Sequence, residues 1–518
     1  MNRRLFLKSM GAAGASVFVP SSLNLMSMYK AANAAVDYAG ASVVAPAIMP
    51  QVINIFLYGG PSELSGNLSN IVDINNNSQN PYEDAFGGGI IRYQNDPAGG
   101  LITPSGFWSS AGGNDMQFLL DQQHMSVYRT LMKRKDATRS HRESILMSLK
   151  GSLDIETSAG VGTRIAAILY QHRALFEGST TLADGSVIND VENDLLLPFV
   201  SFEGETRAFA LDPDYSIPLL FRGLTLDENF DNPYSRNNNS NDTAISALVN
   251  KVVTAADQQR FAGVVNAFEL REFLEARIGN LQASSNAALP LVTQPQDYLS
   301  LDANATGPIT LTYPNNRYAG NIRAAVTLAI ENPSTLFTTI GGDLGGWDDH
   351  NNGVDNYPTR MNQLFAALKS ALLHIKYAGT QTAGVAQTPG GIVRPTDNIA
   401  LNMFGDFGRL VNLNNSEGWD HGNNQNLYTF GGAMVRPGGV NALGKVVGRT
   451  VRSGDSGANN QVTVPEAGSY EAEPMSIAAS VYSYFGVQNP QILTADPALN
   501  PGGDLALDET VTAEARLF

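Results

Sequence analysis

The strongest constraint on the fold is a rhythm of short β-branched runs alternating with stretches of helical periodicity. Gln51 to Tyr58 is a buried-strand pattern that runs into Gly59-Gly60-Pro61. Further strands are expected at His124 to Leu131, Ser334 to Ile340, Asn398 to Phe404 and Asn426 to Phe430. Between them, Ser140 to Leu149 reads as a helix with Ser140 as its N-cap, and Asn321 to Glu331 as another. Met361, Leu364, Phe365, Leu368 and Leu372 mark one face of a third. This alternation predicts an α/β chain: a three-layer sandwich with a mostly parallel central sheet and helices on both faces. In such sheets ligands bind at the carboxyl ends of the strands. Asn67 to Asn114, rich in Gly, Asn and Pro, is expected to form surface loops. Asp242 to Leu281 is strongly helical: Ile245, Leu248, Val249 and Val252 share a face, as do Phe261, Val264, Val265 and Phe268. It lies between Asn237-Asn238-Asn239-Ser240-Asn241 and a polar stretch to Pro308, and reads as a helical insertion within residues 200–320 of one domain, 35–518.

Residues 1–34 are set apart as an address. Asn2-Arg3-Arg4-Leu5-Phe6-Leu7-Lys8, a Gly/Ala-rich apolar stretch and Ala32-Asn33-Ala34 resemble a twin-arginine signal peptide, which predicts export to the periplasm or beyond and a passing contact with the twin-arginine translocase. Gly and Pro20 interrupt the apolar stretch, so no stable membrane span is expected. The charge balance, 33 basic against 49 acidic residues and a net charge of −16, argues against nucleic acid as a partner. There is no Cys, so a transition metal can be held only by His and carboxylate, and there are six His.

Three of the six His fall in motifs. The first motif is Gly345-Gly346-Trp347-Asp348-Asp349-His350-Asn351-Asn352-Gly353; the second is Gly405-Asp406-Phe407-Gly408-Arg409; the third is Glu417-Gly418-Trp419-Asp420-His421-Gly422. The first two follow expected strands and the third precedes one. Imidazole and carboxylate in loops at strand ends suit a divalent cation. Each motif alone is equally a polar turn with a capping Asp. Trp347 and Trp419 could wall a pocket. Asp349, Asn351, Asn352 and Asp355 offer oxygen for Ca²⁺, without the EF-hand spacing. His124, His172 and His374 lie outside the motifs; His374, flanked by Leu372, Leu373 and Ile375, reads as a half-buried core histidine.

The series resembles the twin-arginine-exported domain-of-unknown-function family 1501, grouped with the alkaline phosphatase and sulfatase superfamily. Gly59-Gly60-Pro61-Ser62, Ser140-His141, the three motifs and the final Leu517-Phe518 carry the likeness over most of the mature chain. It implies an alkaline phosphatase-like fold and a divalent metal (Zn, Mn or Ca). Asp348, His350 and His421 would form one metal site, with Asp406, where the family has Glu, in a second. Ser140 would be the nucleophile at a helix start, with Thr138 in reserve. His141 would donate to a substrate oxygen or bind metal. Arg409 would pair with a tetrahedral anion through its fork, or serve as a structural partner of Asp406. Ser65 stands where the family has Asp, and Phe407 where superfamily enzymes have His; Glu63 is expected to face outward.

Two functions follow. One is an exported metal-dependent hydrolase acting on phosphate or sulfate esters, whose substrate is an anionic small molecule or polymer. The other is a non-catalytic secreted binding or scaffold protein that recognises cell-surface or extracellular polymers.

Overall fold

The structure is a computed structural model. It describes residues 36–68, 102–232, 262–287, 289, 291–292, 306–378, 396–414, 416–453, 462–494 and 505–513. The segment 1–34 expected to be a signal peptide, the Asn-rich run at 237–241, the first half of the expected insertion helix and Leu517-Phe518 lie outside these residues.

Among the described residues fourteen strands follow in order: β1 Gln51–Leu57, β2 Met125–Met132, β3 Phe199–Ser201, β4 Leu224–Thr225, β5 Leu291–Val292, β6 Ile309–Thr310, β7 Phe337–Ile340, β8 Ile399–Gly405, β9 Arg409–Leu413, β10 Trp419–His421, β11 Asn424–Gly431, β12 Val446–Val447, β13 Thr450–Ser453 and β14 Val462–Pro465. Eight of them form one sheet in the order β12-β2-β11-β8-β1-β7-β3-β4. Only β11 runs against its neighbours β8 and β2; every other pairing in the sheet is parallel.

The main helices are α1 Gly113–Asp121, α2 His141–Lys150, α3 Val161–Gln171, α4 Ala262–Ser285, α5 Ala319–Glu331, α6 Gly353–Ala378 and α7 Pro474–Tyr484. Strand β1 shows why both faces carry helices: all seven of its residues are buried, a run that a one-sided sheet would not need. Ile53, Ile55 and Leu57 join a core built with α1, α4, α5 and α6. Val52 and Phe56 join the opposite core, with α3 and α7. The result is a mixed α/β fold with a large, mostly parallel sheet, compatible with a three-layer sandwich. No helix among the described residues is long and apolar enough to cross a membrane.

The strands expected from the sequence, and the helices expected at 140–149 and 321–331, lie within a few residues of observed elements, while β4, inside the stretch read as an insertion, is an edge strand of the central sheet; two further corrections follow. Residues 102–114 are not surface loops: Phe107 and Trp108 are core residues, and the chain passes straight into α1. The third motif is not a loop either. Trp419–His421 is itself a strand, paired antiparallel with β9 so that His421 stands directly opposite Arg409. A strand of three residues is too short to leave a periodicity.

Candidate metal centre

The parallel pairing decides where the motifs go. Strands β7, β1, β8 and β2 all end at the same edge, because β11 reverses direction twice between β8 and β2. From that edge β7 delivers Asp348 and His350, β1 delivers Gly59-Gly60, β8 delivers Asp406-Phe407, and β2 delivers the turn into Ser140-His141. The β9–β10 ribbon then folds His421 over the same spot.

The Gly59-Gly60 pair lets these segments meet. Both have positive φ, and a Cβ at Gly59 would lie 2.4 Å from the Asp348 amide nitrogen, one at Gly60 2.5 Å from the Phe407 carbonyl oxygen. The first and second motifs therefore close directly onto the backbone that leaves β1.

Three imidazoles and one carboxylate converge. Asp348 Oδ1 lies 3.4 Å from His141 Nε2, 3.2 Å from His350 Nε2 and 3.5 Å from His421 Nε2. Ligand atoms of His141, Asp348 and His421 all fall within 4.8 Å of one another, the one such donor group among the described residues. His350 Nε2 lies 2.8 Å from His421 Nε2. The separations from Asp348 approach the edges of about 3.3 Å between neighbouring ligands of a tetrahedral Zn²⁺ with bonds near 2.0–2.1 Å; His350 is not a member of the mutually close group.

The far nitrogens show that the donors are poised. His141 Nδ1 meets Asp406 Oδ2 at 2.6 Å, His350 Nδ1 meets Asp420 Oδ1 at 2.9 Å, and His421 Nδ1 meets the Arg139 carbonyl at 2.8 Å. A carboxylate or a carbonyl can only accept, so each Nδ1 carries the proton in the neutral ring. Each Nε2 then turns a lone pair to the centre, that of His350 also lying 3.5 Å from Arg409 Nη1, and two lone pairs facing each other at 2.8 Å call for a cation or a proton between them. An outer partner on the second nitrogen of every histidine is the usual support of a metal-binding imidazole.

Electrostatics follow from the same neighbours. The Asp406 hydrogen bond raises the His141 pKa above the ordinary histidine value against the effect of partial burial. Burial, helped by the Arg409 charge, lowers that of His421. Burial acts to raise the Asp348 pKa, but the Arg409 guanidinium 2.7 Å away outweighs it and holds the carboxyl below its usual range.

Several expected roles change. Asp406 does not take part in a second metal cluster: it is fully buried and holds the side of the His141 ring that faces away from the centre. Arg409 is not available to an anion. Its side chain is fully buried; Nε donates to the Gly60 carbonyl at 2.6 Å, Nη1 to that of Trp419 at 3.0 Å, and Nη2 to those of Gly59 and Trp347 and to Asp348. Its structural partner is Asp348, not Asp406. Glu63 faces inward, accepting from the Arg409 amide at 3.3 Å and from the Thr463 hydroxyl at 2.5 Å, and burial pushes its pKa up to about 7. Ser65 is a buried packing residue bonded to the Ala111 carbonyl. Asp349 is buried and ion-paired with Arg360, so the oxygen set considered for Ca²⁺ loses a member. Trp347 and Trp419 are both buried, each beside Tyr357.

Phe407, directly after Asp406, is a buried platform: its ring centroid lies 4.6 Å from that of His141 and 4.4 Å from that of His421. Ser140 is exposed at the N-cap of α2, and its side chain makes no capping bond. Thr138 is engaged, donating to Glu143 and accepting from the Ser140 amide. His374 is buried as expected, with Tyr313 OH 3.2 Å from its Nδ1.

Sequence reading missed two supports of the centre. Asp420 stands directly before His421 in its motif, a position that carries no sign that it serves His350. Lys133 had no signal at all. It is buried, spans from the end of β2 to the Thr138 carbonyl and the Ser144 hydroxyl, and so ties down the turn that carries Ser140 and His141; burial lowers its pKa to about 8. No family model, no curated protein and no solved structure matches this chain.

Proposed function

We propose that the chain is an exported metal-dependent hydrolase of the alkaline phosphatase and sulfatase type, acting on phosphate or sulfate esters with one metal ion. The observation that supports this reading most is the convergence of the Nε2 atoms of His141 and His421 with Asp348 at the carboxyl edge of the sheet, with His350 beside them and each ring fixed from behind. The residues fit a metal: His141, His421 and Asp348 would hold it, and imidazole donors with one carboxylate favour Zn²⁺ or Mn²⁺ over Ca²⁺, which takes six to eight oxygens. Such an ion supplies charge stabilisation at the attacked ester and to a bound oxygen nucleophile.

The remaining roles belong to the chain. Ser140 presents its hydroxyl at the start of α2, where unpaired amides and the helix dipole receive an anion. Asp406 and Asp420 keep His141 and His350 in the tautomer that aims Nε2 inward. Arg409 positions Asp348. With Arg409 spent, the exposed Arg139, whose carbonyl holds His421, is the nearest side chain in sequence to Ser140 that can meet an ester's negative charge.

The test combines metal analysis of purified mature protein with turnover of phosphate and sulfate monoesters. Close to one metal per chain, and activity lost in Ser140→Ala and in His350→Ala, is the expected result. Metal-free protein, or unchanged turnover in Ser140→Ala, would overturn the catalytic reading. Phe407 and Ser65, which put packing residues at two ligand positions, favour the second reading: a secreted protein that binds polymers without turning them over. That reading expects binding to persist in His350→Ala.

A further inference from the structure

A cavity of about 870 Å³ lined by described residues is separate from the metal cluster. It opens at the carboxyl ends of β3 and β4, where Phe202 and Leu226 form its floor, and against the amino end of α5. It shares a wall with the first motif: the Arg317 guanidinium lies so close to Gly345 that a Cβ there would sit 2.5 Å from it. Arg317 also donates to Tyr318 OH at 2.7 Å, and the Tyr318 ring stands 6.0 Å from that of Trp347, next to Asp348.

The chemistry of the lining is specific. Its charges cancel, with Asp227 and Glu228 against Arg317 and Arg323. Amides fill much of the remainder. Asn315 and Asn229 are exposed, and Asn321, 5% exposed, also lines the cavity. Tyr313 is the aromatic side chain on the wall.

From these features we infer that the groove is a second binding site, for a neutral oligosaccharide. Its volume suits a few linked sugar rings. Amides, carboxylates and guanidinium groups together offer both donors and acceptors to hydroxyls, and Tyr313 offers a ring for the C–H face of a sugar. Cancelled charge gives no net attraction for a polyanion or a polycation. The site does not depend on the metal reading; if both hold, the groove anchors the glycan part of a substrate whose ester reaches the neighbouring edge.

The test uses neutral hexasaccharides of β-1,4-glucose, α-1,4-glucose, mannose and galactose, with a sulfated galactose hexasaccharide as the charged control. Binding is followed by calorimetry on the mature protein with and without EDTA. The expected result is saturable binding of at least one neutral hexasaccharide, unchanged by EDTA and weakened at least tenfold in Asn321→Ala. Asn315→Ala, at an exposed position, gives a second readout if Asn321→Ala melts early, and is expected to weaken binding severalfold. The inference is overturned if no neutral hexasaccharide binds, if the sulfated one binds more tightly than all of them, or if the folded variants bind like the parent. Loss of binding in EDTA would assign the sugar to the metal centre instead and overturn the groove. A metal-free, inactive protein that still binds the neutral sugar would sink the hydrolase reading alone.

Discussion

At the scale of single residues, the centre is organised by groups that would touch no substrate. Arg409 is the clearest. Its guanidinium is buried and its donors end on four carbonyls, Asp348 and, at 3.5 Å, His350 Nε2. Removing it leaves those acceptors unpaired at the point where three motifs meet. Arg409→Ala is therefore expected to lose about 3–5 kcal/mol of stability, measured by urea unfolding, and to lose metal; a change below about 1 kcal/mol would mean that water replaces it freely. Asp406 gives a subtler case. In Asp406→Asn the amide can donate to His141 Nδ1, moving the ring proton to Nε2, where it faces the centre. Metal affinity should fall roughly 10–100-fold with the fold intact. Calorimetric titration of apo-protein with Zn²⁺ checks this, and equal affinity would show that His141 is not a ligand. The raised His141 pKa has the same sign of effect in the parent: metal and proton compete, so affinity should weaken as pH falls through the histidine range.

At the scale of elements, the β9–β10 ribbon has the most demanding geometry. Its entry passes so close to β11 that a Cβ at Gly408 would lie 1.5 Å from the Asn424 carbonyl oxygen. No side-chain rotation relieves a clash with backbone. Gly408→Ala should cost at least about 2 kcal/mol and displace His421, read as a lowered melting temperature together with reduced metal content; a stable, metal-loaded variant would contradict the placement of the ribbon. The elements legible in the sequence were those with a long period. β1, β8, α2, α5 and α6 announce themselves because many successive side chains are buried in a fixed rhythm. β10 has three residues, and the antiparallel β11 looks from sequence like any other strand of the sheet. What they contribute is register, which apolar periodicity does not encode.

At the scale of the whole molecule, Glu63 links the site to the pH dependence of folding. Burial outweighs its two accepted hydrogen bonds and raises its pKa from 4.5 to about 7. The folded state therefore holds the proton more tightly than the unfolded chain. The stability it contributes is complete below pH 4.5 and is lost as pH rises through about 7, on the order of 3 kcal/mol in all. Glu63→Gln should flatten the parent's decline in stability between pH 5 and pH 8, seen in denaturant midpoints across that range. An equally steep decline in the variant would assign the effect to other groups.

The sequence by itself determined the α/β alternation, the carboxyl-edge location expected of any site, and the limitation of metal ligands to His and carboxylate in a chain without Cys. It also brought forward Asp348, His350 and His421, since short polar motifs stand out against apolar strands. The division of labour among them was decided only in three dimensions. Asp406 and Arg409 carry the right chemistry to face a ligand, yet one lies behind an imidazole and the other beneath a carboxylate. Motif chemistry is a property of residue type and survives in a string of letters. Whether a charged group meets solvent, a partner or a metal depends on which strand ends lie side by side, and the pairing of distant strands fixes that.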